Sequence, residues 1–221
     1  MILCIKNGAP MFVLASASKA RQKLLDQIAF RYKVIVSDFD ETQVHTSDPC
    51  EKVQLLAKGK ADSAFKKVIK ENQALNTFQV LLGCDSLFEF EGKIFGKPIN
   101  KEQLISRWQR MSGKSGFLHT GHYLISKDNS KSNMKSELFN KCSEGVVSTK
   151  IEFMSLSNIE IIKYASIPEP FMCAGGFAIE GKGGLFIKRI DGCFSNVIGL
   201  SLPWLKTNLE KLGLSELLLY R

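Results

Sequence analysis

Acidic and basic residues are spaced along residues 80–98, VLLGCDSLFEFEGKIFGKP, in a way that suits a metal-bound phosphate ester. The apolar start of this segment predicts a buried strand, and Asp85 is placed where that strand ends. Glu91 and Gly92 predict a two-residue hairpin turn, after which the return strand delivers Lys97. The hairpin therefore presents the carboxylate of Asp85, which can bind a cation, together with the ammonium of Lys97, which can bind an anion. A surface aspartate and a turn lysine explain the same residues equally well.

Other charged residues come before this hairpin. Asp38, Asp40 and Glu41 fall within four residues at the end of a predicted strand, which favours either a bound cation or a solvated acidic turn. Arg21 lies near the start of a predicted helix, where free backbone N–H groups attract phosphate; a solvated helix arginine is the alternative. Lys60 borders the apolar stripe of a long helix, where most lysines extend to solvent.

Alternating strand and helix patterns must position these side chains. Apolar runs and turn residues predict strands at 11–15, 32–37, 80–82, 87–90, 93–95, 117–126, 142–153 and 185–190. Capping residues and helical spacing predict helices from Ser18, Asp48 to about Lys70, Asn100, Ser157 to Ala165, and near Pro203. Residues 127–141 predict an exposed hairpin loop. The glycines of 173–184 indicate either that the backbone lies close to a ligand or that tight turns connect short strands.

Length and composition predict one compact unit. The chain has 221 residues, 44% of them hydrophobic, which is enough for a substantial core. Its net charge of +8 and pI near 9.2 favour an anionic partner. Because the lysines are scattered, with no basic helix and no aromatic platform, we expect a nucleotide and no specific nucleic acid.

The cysteines and the apolar runs bear on the compartment. Six cysteines show no CxxC pair, so neither a zinc site nor a disulfide framework is indicated and a reducing cytoplasm is predicted. No apolar run approaches the roughly 20 residues that span a bilayer, so we expect no membrane association. Residues 1–10 do not resemble a signal peptide. They are interpreted as an N-terminal extension, with Met11 as an alternative start.

An ordered set of motifs gives the chain a family resemblance. The motifs are Leu14-Ala15-Ser16-Ala17-Ser18 with Arg21, Asp40-Glu41, Lys60-Ala61, Gly83-Cys84-Asp85-Ser86, Gly96-Lys97-Pro98, Ser112-Gly113, Thr120-Gly121, Ala174-Gly175, Glu180-Gly181 and Asn196-Val197-Ile198-Gly199-Leu200. Together they resemble the Maf family of nucleoside triphosphate pyrophosphatases, historically named for septum formation. The resemblance covers about residues 12–215, so a single Maf-like domain is predicted at 11–215. It implies an α/β fold like that of inosine triphosphatases, in which helices flank an elongated mixed β-sheet and two lobes surround a central cleft, often as a homodimer.

The resemblance also implies a reaction and roles for individual residues. Asp85 resembles the essential acid, which accepts a proton from water or binds metal, and Glu41 its metal-binding companion. The residues that resemble the phosphate-contacting set are Ser16, Arg21, Lys60 and Lys97. A divalent cation, Mg²⁺ or Mn²⁺, is implied as cofactor. Water would attack the α-phosphate and release a nucleoside monophosphate and pyrophosphate, a role in cleaning the nucleotide pool with a link to division arrest.

Three positions depart from the family pattern. Ala20 replaces one of two arginines, and Gly116 stands where many members have histidine. Glu180, the predicted substrate-binding residue of the glycine-rich segment, stands where members that prefer thymidine and uridine triphosphates carry glutamine. An ionised acid cannot donate the hydrogen bond of that amide. We therefore predict a modified or less selective substrate, because a subgroup that includes enzymes acting on methylated guanosine triphosphate also carries an acid here.

Other functions fit parts of the pattern. A hydrolase of inosine or xanthosine triphosphates would also need acids, lysines and a cleft, but the motif order favours Maf. A non-catalytic nucleotide-binding regulator of septum formation would not require both metal-holding acids. A cysteine hydrolase using Cys84 lacks a recognisable histidine partner, and a buried strand cysteine is the simpler interpretation.

Overall fold

The computed structural model of the chain describes residues 12–28, 30–70, 79–126 and 141–219. Its strands are β1 (Phe12–Leu14), β2 (Tyr32–Val34), β3 (Val80–Phe90), β4 (Lys93–Phe95), β5 (Ser115–Ser126), β6 (Lys141–Phe153) and β7 (Ile187–Asp191). Its helices are α1 (Lys19–Gln27), α2 (Pro49–Lys70), α3 (Lys101–Met111), α4 (Asn158–Tyr164), α5 (Phe194–Ile198), α6 (Leu202–Lys211) and α7 (Glu216–Leu219). Among the described residues, no helix has the length and apolar character needed to cross a membrane.

The strands form one mixed sheet in the order β2-β1-β3-β5-β6-β7. β1 pairs in parallel with β2 and with the first part of β3, whereas β3, β5, β6 and β7 pair antiparallel. β4 pairs with the last residues of β3, beyond the point where β1 ends. This arrangement confirms the predicted α/β fold with an elongated mixed sheet flanked by helices.

Hydrophobic cores at opposite ends of β3 define the two lobes. The first half of β3 packs with β1, α1 and α6 on one face and with α2 on the other. The second half packs with α3 and α4 around seven buried aromatic rings, those of Phe88, Phe90, Phe95, Trp108, Phe153, Tyr164 and Phe177. Because β3 and β5 run through both cores, a side chain midway along β3 lies between the lobes.

Helix starts follow the predicted capping residues. The hydroxyl of Ser18 accepts from the backbone N–H of Arg21 at the start of α1, and Asn100 caps α3 in the same way. Ser157 and Glu160 form the predicted capping box of α4. Local hydrogen-bonding chemistry therefore sets these boundaries, and the sequence is sufficient to predict them.

Three expectations differ from the structure or fall outside it, and one helix was not predicted. Asp85 does not lie at a strand end, because β3 continues for five further residues through pairing with β5 and β4. The short-strand interpretation of 173–184 is wrong, since Ala174–Gly176 and Lys182–Phe186 are 3₁₀ turns and delay β7 until Ile187. Helix α5 was not predicted. The loop predicted at 127–141 lies outside the described residues except for its last position, which begins β6.

Two glycines let α2 lie unusually close to the sheet. A Cβ atom on Gly83 of β3 would meet the carbonyl of Ala57 and the side chain of Ala61, and one on Gly121 of β5 would meet the carbonyl of Val53. Gly83 and Gly121 face α2, as does Asp85. This close approach brings the middle of α2 against the centre of β3.

Candidate active site

Asp85 lies at the centre of the candidate site, midway along β3. It is only 9% exposed, and its carboxylate is in contact with the ammonium of Lys60 on α2. A buried carboxylate is unfavourable unless it is paired, and Lys60 supplies that pairing. The lysine that the helical pattern placed beside the apolar stripe therefore turns inward to the sheet.

Lys60 also binds a second carboxylate. Its Nζ lies 2.8 Å from Oε1 of Glu41, which begins a 3₁₀ turn capped by the side chain of Asp40. The side chain of Glu41 is 56% exposed, whereas that of Asp85 is 13% exposed. The lysine thus joins one buried and one solvated carboxylate, contributed by a strand and a loop that are distant in sequence.

Burial and charge act in opposite directions on this pair. Burial raises the pKa of Asp85, and the positive charges of Lys60 and Arg21 oppose that rise without cancelling it. Burial alone would lower the pKa of Lys60, but the carboxylates of Asp85 and Glu41 outweigh it and raise that pKa. Lys60 therefore stays cationic at neutral pH, and Asp85 accepts a proton more readily than a solvated aspartate does.

Arg21 supplies a fixed positive charge next to this pair. Its Nε donates to the carbonyl of Gly199 at 2.6 Å, Nη1 to Oγ of Ser16 at 2.9 Å and Nη2 to Oγ of Ser86 at 2.9 Å. Arg21 and Ser16 are each 8% exposed. Three of the five guanidinium N–H groups donate to partners among the described residues, so the side chain is held in place.

Sequence reasoning assigned no role to Ser86, Thr120 or Asn196, which support the position of Arg21. Oγ of Ser86 lies 2.9 Å from Oγ1 of Thr120, which donates to the carbonyl of Asn196 at 3.2 Å. All three belong to motifs of the family resemblance, and that grouping was the available signal. Their pairing across β3, β5 and α5 requires three-dimensional contacts that no local spacing reveals.

Lys97 and Glu180 occupy a second part of the molecule. Both side chains are exposed and lie near Cys173, since the charge of Glu180 raises the pKa of that thiol and the charge of Lys97 lowers it. No hydrogen bond among the described residues joins either one to Asp85 or Lys60. The structure therefore brings together Ser16, Arg21, Glu41, Lys60 and Asp85, and sets Lys97 and Glu180 apart.

Glu169 braces the turn that carries Glu180. Its carboxylate accepts the backbone N–H groups of Lys182 and Gly183, each at 3.0 Å, and the hydroxyl of Tyr164 at 3.0 Å. Sequence reasoning missed Glu169, because an isolated acid between two prolines gives no local signal. These three hydrogen bonds fix the backbone next to Glu180.

Comparison with known proteins decides the family. The family profile described as Maf-like protein matches residues 11–212. The chain belongs to the Maf family. A relative from Prochlorococcus marinus (strain NATL1A), named nucleoside triphosphate pyrophosphatase, is 80% identical over 211 residues, which are 96% of this chain and 100% of that protein.

More distant Maf relatives carry the same name. A protein from Prochlorococcus marinus (strain MIT 9313) is 47% identical over 88% of this chain and 96% of its own length. The protein from Synechococcus sp. (strain CC9311) is 45% identical over 89% of this chain and 97% of its own length. Among solved structures, the Staphylococcus aureus Ham1 protein aligns over 90% of this chain and 98% of its own, with 14% identity and a TM-score of 0.43.

Packing explains one departure from the Maf pattern. A Cβ atom at Gly116 would meet the ring of Phe88 and the carbonyl of Glu89, so this chain has no room there for the histidine of many Maf proteins.

The burial of Cys84 argues against the cysteine hydrolase alternative, because it raises the pKa of this thiol to about 12. Cys84 is therefore a protonated core residue and no nucleophile.

Proposed function

We propose that this Maf protein is a nucleoside triphosphate pyrophosphatase, which hydrolyses a nucleoside triphosphate to a nucleoside monophosphate and pyrophosphate. The convergence of Asp85, Lys60 and Glu41 beside Arg21 carries the proposal. Such a site combines a proton acceptor with two cations for a polyphosphate chain. The names of the relatives support the same reaction.

In this proposal Asp85 accepts the proton of the water that attacks the α-phosphate. Its raised pKa favours that role, because a carboxylate that holds a proton more tightly is a stronger base. Lys60 keeps the carboxylate in place and balances its charge. Arg21, fixed by Ser16 and Gly199, stabilises negative charge on the leaving pyrophosphate, and Lys97 contacts the outer phosphates.

The carboxylates also suit a divalent cation. Glu41 and Asp85 already converge on one positive charge, the ammonium of Lys60. Mg²⁺ and Mn²⁺ bind through one or two carboxylates, phosphate oxygens and water, so these two acids would hold the ion. When bound, the ion would polarise the phosphate and neutralise charge on the released pyrophosphate.

Glu180 is the proposed determinant of base selection. Its carboxylate accepts hydrogen bonds and donates none when ionised, so it recognises N–H groups of a base. Three hydrogen bonds to Glu169 hold the adjacent turn in place. We therefore propose a substrate other than thymidine triphosphate, with modified nucleotides among the substrates.

Pyrophosphate release from a panel of canonical and modified nucleoside triphosphates, with Mg²⁺ or Mn²⁺ and with chelator, tests the reaction. We expect turnover by the parent protein and a loss of about 10²-fold or more in Asp85→Asn. Asp191→Asn, at the exposed end of β7, is the matched control and should retain full activity. A parent protein that binds a nucleotide tightly but releases no pyrophosphate would instead support the non-catalytic regulator.

A further inference from the structure

A cluster of four polar side chains joins α2 to three strands of the sheet. His119 of β5 is 5% exposed, and both of its ring nitrogens have partners. Nε2 lies 3.0 Å from Oε2 of Glu89 on β3, and Nδ1 lies 2.7 Å from Oγ of Ser148 on β6 and 3.4 Å from Sγ of Cys50 on α2. No hydrogen bond among the described residues connects this cluster to Asp85 or Lys60.

Glu89 determines where the ring proton of His119 resides. An ionised carboxylate only accepts hydrogen bonds, so Nε2 carries the proton and Nδ1 is left as an acceptor. Nδ1 then accepts from the hydroxyl of Ser148 or from the thiol of Cys50. Glu89 and Cys50 approach opposite nitrogens of the ring, so these contacts do not describe a single metal ion. The arrangement is a nucleophile, a base and a group that orients the base.

Of the two candidate nucleophiles, the thiol ionises far more easily. A thiol is a far stronger acid than an aliphatic hydroxyl, and Nδ1 of His119 lies within reach of the Cys50 proton. Oγ of Ser148 lies 3.9 Å from Sγ of Cys50 and can donate a hydrogen bond to that thiolate. Ser148 has no comparable route to ionisation. We propose that Cys50 is a reactive thiol, activated by His119 and Glu89, that forms mixed disulfides with low-molecular-weight disulfides.

The proposed step balances within the cluster and the small disulfide. Cys50 passes its proton to Nδ1 of His119, and the thiolate attacks one sulfur of the disulfide. The disulfide bond breaks as a bond from Cys50 to that sulfur forms. The departing thiolate takes the proton back from His119 and leaves as a free thiol, so the ring returns to its starting state.

The surface around Cys50 suits a small anionic thiol compound. Phe117 is 43% exposed and stacks on the ring of His119 with centroids 6.1 Å apart. The exposed Lys150 lies directly opposite Phe117 in the pairing of β5 with β6 and on the same face as Ser148. An apolar ring and a cation therefore lie on the same face of the sheet as His119 and Ser148, which contact the thiol. Peptide-like disulfides with carboxylates could contact the ring of Phe117 and pair with the charge of Lys150.

Other cysteines of the chain provide internal references. Cys142 is exposed, and no histidine contacts it among the described residues. Burial raises the pKa of Cys84 to about 12 and that of Cys173 to about 11, so both should react slowly. These differences allow each thiol to be followed within one sample.

Peptide mapping by mass spectrometry after timed exposure to iodoacetamide or glutathione disulfide tests the proposal. At pH 6, where an ordinary thiol is almost fully protonated, we expect Cys50 to react about tenfold faster than Cys142 in the parent protein. His119→Gln and Glu89→Gln should lower the rate at Cys50 towards that of Cys142. The rate at Cys142 should be unchanged, which also reports that the fold is intact.

Two results would overturn the proposal. One is a parent protein in which Cys50 reacts no faster than Cys142 at pH 6. The other is an unchanged rate at Cys50 in His119→Gln, with Cys142 and the circular dichroism spectrum as in the parent. Because these readouts follow thiol chemistry, neither depends on whether the protein cleaves nucleotides.

Discussion

Lys60 contacts one buried and one exposed carboxylate, and these two contacts define the electrostatics of the site. Asp85 is buried and Glu41 is solvated, yet both contact the same ammonium. A single residue therefore opposes the rise in the pKa of the buried carboxyl and ties a surface turn to the sheet. Such a pair is sensitive to the loss of either partner, since an uncompensated buried charge is destabilising.

Replacing Lys60 by methionine should shift the pH dependence of activity. Without the ammonium that opposes burial, the pKa of Asp85 rises further, so the acidic limb of kcat/KM moves to higher pH. We expect kcat/KM to fall about tenfold or more at neutral pH. Profiles between pH 5 and 9 measure the shift. An acidic limb that stays in place or moves to lower pH would contradict the proposed effect of Lys60 on Asp85.

The same substitution gives a stability prediction with a defined sign. A folded-state pKa above the unfolded one stabilises the protein at low pH, and this stabilisation is lost as pH rises through the folded pKa. The free energy of unfolding of Lys60→Met should therefore fall relative to the parent as pH rises above about 3.9, the pKa of an unfolded aspartate, by at most about 1.4 kcal/mol per pH unit until Asp85 is ionised in the folded protein. Lys67→Met, on the same helix and paired with the exposed Asp38, is the control and should show little change.

Close packing of α2 on β3 and β5 is the main structural requirement at the scale of elements. Gly83 and Gly121 remove the side chains that would separate helix from sheet. Lys60 lies one helical turn beyond Ala57, whose carbonyl faces Gly83. Consequently the spacing between α2 and the sheet determines whether the ammonium reaches Asp85.

Gly83→Ala should therefore lower both stability and activity. The added methyl group would meet the carbonyl of Ala57 and the side chain of Ala61, which is overpacking against backbone. We expect a loss of about 1–3 kcal/mol in urea denaturation and reduced pyrophosphate release. Gly96→Ala, where a Cβ has open space, serves as the stability control. Equal stability of the two variants would contradict close packing.

His122 of β5, which is buried beneath α6, should make the stability of the protein fall at mildly acidic pH. It stacks on Trp204 with centroids 4.6 Å apart, and burial together with the charge of Arg21 lowers its pKa to about 3. The folded state keeps it neutral while the unfolded state protonates near pH 6.5, so stability present above that pH is lost as pH falls. Between pH 6.5 and 5 the loss should be about 2 kcal/mol, measured by urea unfolding.

A matched pair of variants isolates this effect. His45→Gln changes an exposed histidine and should keep the pH slope of the parent. His122→Gln should flatten the slope over the same range, whatever its effect on overall stability. A slope that survives in His122→Gln would assign the pH dependence to other groups.

Some elements were predictable from local chemistry and others were not. Capping residues, hairpin signals and helical stripes were enough to predict α2, α3, α4 and the β3–β4 hairpin, because each of these elements depends on neighbours in sequence. The length of β3 was not predictable, since its second half is held by pairing with β5 and β4. Similarly, Glu169 and Ser86 act through contacts with residues that are distant in the chain.

At the scale of the molecule, the long strands β3 and β5 connect two cores and hold the candidate site between them. The first core brings Arg21 and Lys60 to Asp85, and the second supports the turns with Lys97 and Glu180. A triphosphate bound at Asp85 with its base near Glu180 would span the lobes. The family motifs identified these residues, and the fold explains why they are spread over most of the chain.

Hydrolysis in ¹⁸O-labelled water shows which phosphorus atom the water attacks. The protein is incubated with the triphosphate that it turns over fastest, and the products are resolved by mass spectrometry. Attack on the α-phosphate predicts one ¹⁸O atom in the nucleoside monophosphate and none in pyrophosphate. Label in pyrophosphate, or release of a nucleoside diphosphate with labelled phosphate, would contradict the proposed reaction.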